Sequence, residues 1–242
     1  MSIKGFDDWL ATSQGQYVLQ WEQAKYDLLV ADIFGFNAVQ LGLPQQDFLR
    51  ANRMPFRFRC DDQISSLAAL RAKPHFLPFA NASVDLVILP HVLEFDAAPH
   101  QILREVERIL VPEGQLIVTG FNPFSLGGVR RKFARANGEP PWRGQYLSVL
   151  RLKDWLALLG FETHAGCFGC YAPPVTLEKW LQSWRFMELA GNRWWPYAGA
   201  AYMIQAIKRV HGMRLITPHR LDRKARAKAL ATVTQHTQRR EQ

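Results

Sequence analysis

The sequence predicts an α/β protein built on a doubly wound parallel sheet, and three observations predict it. "VDLVILP" (84–90) is apolar at every position but Asp85, as a central parallel strand buried on both faces should be. The segment 96–110 places Ile102, Leu103, Val106, Ile109 and Leu110 on one stripe at helical steps. Strand-like and helix-like stretches also alternate through the first two thirds of the chain. With 242 residues, 48% hydrophobic and 21% charged, there is enough apolar material for one domain with a full core.

Taken in order, Asp8–Phe34 reads as a helix, since Val18, Trp21, Lys25 (through its stem), Leu28 and Leu29 share a face and Gly35 is placed to end it. "NAVQLGL" (37–43) is a strand turning at Gly42, with helix-compatible sequence beyond. "PFRFRCDD" (55–62) alternates Phe56, Phe58 and Cys60 with two arginines, a strand with one wetter face. "LAALRAKP" (67–74) is a further strand candidate before 84–90. In the helix 96–110, Asp96 is placed as the N-cap and Pro99 lies in the first turn, where its missing N–H does little harm. "VPEG" (111–114) predicts a turn and "QLIVTG" (115–120) a strand. Beyond these come a helix over 151–162 ended by Gly160, a strand at "ETHAGCF", an amphipathic helix over 176–191 and a final strand over 200–210.

The formal charge is +9, which suits an anionic partner such as nucleic acid, an acidic substrate or a lipid headgroup. From Arg214 onward eight basic residues face only Asp222 and Glu241, so about two thirds of the excess sits in the tail. The N-terminus shows no secretory pattern, and no apolar run nears the roughly 20 residues that span a bilayer. Cys60, Cys167 and Cys170 suit a reducing compartment, so the expected location is cytoplasmic.

The stretch "LPFANASVDLVILPHVLEFDAAPHQILREVERILVPEGQLIVTGFNP" (77–123) resembles the class I S-adenosylmethionine-dependent methyltransferases of the type 11 branch. It carries, in order, a Leu-Pro-Phe turn, a Ser-hydrophobic-Asp lead into the fourth strand, a "vLeh"-like exit, a helix ending in Arg-x-Leu, and Pro-Glu-Gly before the fifth strand. "LPHVLEF" with "GFNPFSLGGVRR" looks closer to one bacterial subgroup of methyltransferase-like proteins. The resemblance implies a mostly parallel seven-stranded sheet whose last strand is antiparallel, a place that "AAYMIQAIKRV" fits. It implies three parts: an N-terminal helical segment (1–35), a methyltransferase-like domain (36–217) with a helical insert or lid (176–199), and a basic tail (218–242).

The implied cofactor is S-adenosylmethionine, and the implied cofactor-binding residues are Gln40, Gly42, Leu43, Asp61, Asp62, Pro74, Pro90 and His91. The family's first motif runs hydrophobic-acid-hydrophobic-Gly-x-Gly-x-Gly. Here Gln40 stands at the acid, Gly42 at the first glycine, and Pro44 and Gln46 at the second and third. Proline fixes φ and offers no N–H, and a neutral amide gives the cofactor's ammonium no charge assistance. Asp61 and Asp62 end the second strand about 20 residues past Gly42, where such folds place the carboxylate that holds ribose hydroxyls. The acid usual four residues before the Leu-Pro-Phe turn is replaced by Lys73, followed by Pro74.

Methyl transfer is an in-line displacement, so the protein chiefly aligns acceptor and sulfonium, with a base where the acceptor loses a proton. His91 and Glu94 are the catalytic candidates, and Asn122 is placed to orient an acceptor. A backbone-bonded His91 and a helix-capping Glu94 are the structural alternatives. His164, Cys167 and Cys170 have spacings that a metal could use, but no second pair completes a site, and no metal is assigned. The tryptophan-rich helix 176–191 serves as core, as a lid over an apolar acceptor, or as an interfacial helix touching anionic lipid, and the expected acceptor is a small molecule or an apolar one. The tail offers a contact for RNA or an anionic membrane surface, or a merely solvated end. Methyl transfer to an unidentified acceptor is thus the leading expectation. The alternative is a catalytically inactive methyltransferase-like protein that binds protein or RNA as a regulatory module.

Overall fold

The structure, a computed structural model, describes residues 5–63, 67–128, 144–172 and 196–210. The expected helix 176–191 and the tail 218–242 lie outside the described residues. Seven strands form one sheet: β1 (Asn37–Leu41), β2 (Phe56–Asp61), β3 (Leu70–Arg71), β4 (Val84–Pro90), β5 (Leu110–Phe121), β6 (Phe161–Gly169) and β7 (Ala201–Lys208). Their order is β3-β2-β1-β4-β5-β7-β6. β1 to β5 run parallel, and β7 is antiparallel to both β5 and β6. Helices along the described residues include α1 (Phe6–Leu10), α2 (Ser13–Ala31), α3 (Pro99–Ile109) and α4 (Val149–Leu158).

β4 shows why the sheet is covered on both faces. Its Val87 and Leu89 pack with Ile102, Val106, Leu152 and Leu156 of α3 and α4. Leu86 and Ile88 point to the other face, against Val18, Tyr26 and Val30 of α2. Each such apolar side chain contributes about 1.5–3 kcal/mol on leaving water, so these two layers dominate the fold's stability. Among the described residues, no helix is long and apolar enough to cross a membrane.

The family-like signatures have local physical causes. The Arg108 guanidinium of α3 donates to the carbonyls of Leu77 and Phe79, to Asn81 Oδ1 and to Glu105, while Glu105 accepts the Leu77 N–H. The Arg-x-Leu helix end and the Leu-Pro-Phe turn are therefore two halves of one tie. Asp85, the acid leading into β4, accepts the N–H groups of Phe36 and Asn37 and so fixes the start of β1.

Several boundaries differ from the sequence expectation. The helix expected over 8–34 is two helices, because Thr12 leaves the helical region and its hydroxyl caps α2 through the Gly15 N–H. Gly15 is required there: a Cβ would overlap the Trp9 carbonyl. Gly35 does not end α2, which stops at Ala31; it makes room for the Asp85 carboxylate. Asp96 accepts from Ala98 N–H and touches His75, and α3 begins three residues later, at Pro99. The turn expected at 111–114 is an irregularity inside β5. Glu113 takes φ 65 there, and the register to β4 shifts between Val84 and Leu86. The connection from β1 to β2, residues 42–55, holds only turns and bends where helix-compatible sequence was read.

Candidate functional site

The winding reverses between β1 and β4, so the ligand crevice of such a sheet lies at the carboxyl ends of these two strands. Its β1 wall is organised by Gln40, which is fully buried. The Gln40 amide Nε2 donates to the carbonyls of Gly42, Leu43 and Gln46, and its Oε1 accepts the Phe48 N–H. Gly42 and Leu43 both take left-handed backbone, at φ 82 and φ 47, and Arg59 holds the Pro44 carbonyl. The glutamine at the family's acidic place therefore serves as the internal brace of this loop.

β2 brings the two acids alongside. Gly42 N–H donates to the Cys60 carbonyl, which sets the β1 turn beside Asp61 and Asp62. Asp61 is buried and its Oδ1 accepts the Asp62 N–H, while Asp62 is half-buried. Arg71 Nε donates to the Asp62 carbonyl. Lys73 opens a tight turn closed by Phe76 N–H, with Pro74 buried within it.

The β4 wall holds an ion cluster. His91, at φ 54, donates from Nε2 to Glu22 Oε1 at 2.6 Å and from Nδ1 to Glu94 Oε2 at 2.9 Å. None of the three is more than 2% exposed. Burial, the largest single influence, pulls His91 downward. The two carboxylates together outweigh it through charge and hydrogen bonds, and its pKa is raised to about 10. The ring is thus an imidazolium at neutral pH, with both nitrogens engaged, and it has no lone pair to act as the base expected of His91. Glu94, expected as a base or a helix cap, instead bridges His91 to the Phe121 N–H of β5.

Glu22 was not anticipated. Its signal was present in the sequence: it lies four residues after Val18 and four before Tyr26, a carboxylate on the buried face of α2. Tyr26 Oη meets Thr119 Oγ1 at 2.9 Å, and burial pushes the Tyr26 phenol well above its ordinary value. Tyr202 is raised for the same reason, with Glu94 adding to it. Gly120 permits the crossing, since a Cβ there would stand 2.7 Å from Tyr202 Oη and 2.9 Å from Glu94 Oε1.

Asn122 is committed to structure: its Nδ2 donates to the Tyr197 and Gly199 carbonyls, and its Oδ1 accepts the Phe124 N–H. It also borders a hollow of about 830 Å³ flanking β6, with Phe168, Tyr202, Lys25 and Lys153 in its wall. A smaller cavity of about 40 Å³ lies between Trp9, Val18, Phe121 and Tyr146. Cys170 is buried and Cys167 half-buried, and burial pushes the Cys167 thiol up. Among the described residues, no three His, Cys, Asp or Glu side chains form a group that could hold a metal ion.

The residues present fit the adenosine half of S-adenosylmethionine better than its methionine half. Two carboxylates end β2, the place where the resemblance implies that ribose hydroxyls are held, whereas the loop carbonyls of 42, 43 and 46 are already taken by Gln40.

Comparison with known proteins bears on the fold. Residues 50–118 match the family described as "Methyltransferase domain". A protein of Escherichia coli (strain K12), YafS, is 40% identical over 100 residues, which cover 41% of this chain and 42% of that protein. The match thus spans about two fifths of its curated relative's length. Among solved structures, a chain from the complex of the Haloferax volcanii Trm112 methyltransferase activator with its methyltransferase superposes with TM-score 0.58 at 18% identity, covering 86% of this chain and 98% of that one. A SAM-dependent methyltransferase from Thermotoga maritima gives TM-score 0.56 at 16% identity, covering 81% and 96%. Sheet order and superposition thus show the class I methyltransferase-like fold, and residues 50–118 carry the similarity to the methyltransferase domain family.

Proposed function

We propose that the protein binds S-adenosylmethionine at the β1/β4 crevice and transfers its methyl group to an acceptor of small-molecule or apolar character. The observation that carries this reading is the Asp61–Asp62 pair at the end of β2, set beside the left-handed turn Gly42–Leu43 by the Gly42 to Cys60 hydrogen bond. In this reading Asp61 and Asp62 accept the ribose hydroxyls, and the turn at Gly42 and Leu43 lets backbone approach the ligand. Pro74 borders the adenine, and Pro90–His91 form the wall on the β4 side. When bound, the cofactor supplies an electrophilic methyl on a sulfonium. His91 and Glu94 hold the β4 exit in shape rather than move a proton in the closed arrangement.

Calorimetry with S-adenosylmethionine and S-adenosylhomocysteine tests the reading. Saturable heat is expected, and Asp62→Ala should weaken binding about tenfold, the loss of one or two charge-assisted hydrogen bonds, while Lys73→Ala changes it little. Equal effects of the two variants would misplace the ribose site, and silence at millimolar ligand would remove the cofactor.

A second reading, a non-catalytic module that binds protein or RNA, is favoured by one specific feature. The groups at the crevice floor, Gln40, His91 and Glu94, are buried and mutually satisfied without any ligand. Absence of cofactor binding in a fully folded protein, together with saturable binding of RNA or of a protein partner, would support it.

A further inference from the structure

We propose that the hollow flanking β6 is a binding site for an apolar molecule that carries one anionic group, a carboxylate or a phosphate monoester. In the reading above this molecule takes the acceptor's place, and for that role alone the inference rests on that reading.

At about 830 Å³ the hollow has the size of sites that enclose a small organic ligand. Around it stand Phe124, Leu150 and Tyr197, which are 69%, 73% and 76% exposed. Large apolar side chains gathered in water about one concave place mark a surface that another molecule covers. This rim is held in shape. Asn122 accepts the Phe124 N–H and donates to the Tyr197 carbonyl, and the Phe168 ring lies 5.7 Å from Tyr197 and 6.4 Å from Tyr202. The hollow also reaches the exit of β5, the strand next to β4. There Gly120 lets Tyr202 Oη and Glu94 approach, and Glu94 holds the Phe121 N–H just before Asn122.

Charge decides the class of ligand. Among the described residues of the wall, the charged side chains are Lys25 of α2 and Lys153 of α4, with no carboxylate beside them. Neither ammonium has a hydrogen bond or ion pair to a described residue. The acids of α2 close to Lys25 are committed elsewhere, Glu22 to His91 and Asp27 to Arg50. Lys25 is half-buried, and its charge is felt by Cys167 in the same wall, where it opposes the upward push of burial on the thiol. A half-buried ammonium without a counter-charge is costly, and an anion beside it relieves that cost. Lysine is a point charge on a flexible stem, so it takes a carboxylate or a phosphate without demanding one geometry.

The test titrates the full chain, with no cofactor present, against octanoate, octyl phosphate and the neutral octanamide, followed by calorimetry and by the ring signals of Phe168 and Tyr197. At least one of the two anions should bind saturably and about tenfold tighter than the amide. Lys25→Gln combined with Lys153→Gln should erase that preference while amide binding stays. Gly166→Leu should weaken anions and amide alike. A Cβ at Gly166 meets the Met203 carbonyl at 3.6 Å and Ile204 Cγ1 at 4.0 Å, ordinary contacts, so the strand accepts a side chain at this position in the hollow's wall. Anions that bind no tighter than the amide, a preference that survives loss of both lysines, or binding untouched by Gly166→Leu would each overturn the inference. Because every arm omits the cofactor, a protein that ignores S-adenosylmethionine can still pass this test, and then only the acceptor role falls; one that binds the cofactor can still fail it.

Discussion

Gln40 shows how an uncharged residue at a position that is acidic in the family can be structurally indispensable. Its amide hydrogens meet three carbonyls, so a carboxylate in their place would face three acceptors with nothing to donate. Gln40→Glu, which restores the family pattern, should therefore destabilise the protein by about 2–4 kcal/mol in urea unfolding rather than improve it. His91 makes a prediction of opposite kind. Its folded pKa is raised from the ordinary 6.5 to about 10, so its contribution is complete below 6.5 and is lost as pH climbs through 10. The urea midpoint should fall across that window, with a slope of at most about 1.4 kcal/mol per pH unit, and the slope should flatten in His91→Gln. At this scale the sequence showed which residues gather at the crevice but not what they do there. Gln40, His91 and Glu94 were identifiable from the motif order. That the first braces a loop, and that the other two form an ion cluster with Glu22, depends on a helix 69 residues away in the chain, which no local pattern reports.

At the scale of elements, the packing of α2 on the far end of the sheet turns on one missing side chain. A Cβ at Gly169 of β6 would overlap the Trp21 indole of α2. Gly169→Ala should cost about 1–3 kcal/mol through forced repacking, and the loss should be largely relieved by the double change with Trp21→Leu. The tie between α3 and the Leu-Pro-Phe turn is predicted to behave differently. Arg108→Met should cost about 1–2 kcal/mol and speed amide exchange at Leu77 while leaving β4 protected. Strong periodicity made α3 and β4 legible in the sequence, because apolar spacing records which face is buried. The break at Thr12 and the irregularity at Glu113 were not legible. Both depend on a single residue's backbone, and the stripe read for the first helix, Val18 to Leu29, begins beyond Thr12 and so carries no sign of the break.

On the scale of the whole molecule, alternation of elements and the motif order sufficed for the sheet, including the antiparallel last strand. The basic tail remains a proposed contact for RNA or anionic lipid. Deleting 218–242 should remove most salt-sensitive binding to either, measured by titration at rising ionic strength, and retained binding would put the basic surface on the domain. The helix-free passage from β1 to β2 has a mechanical consequence for the wing of the sheet beyond β1. β3 is two residues long, and Phe34, Phe36 and Phe56 are exposed nearby. Fluctuations that loosen the molecule should start in this wing, well before the girder of β4 and β5 yields. A nucleoside gripped by Asp61 and Asp62 would act there as a rivet, so occupancy would register first as a quieting of β2, whether or not any methyl group moved.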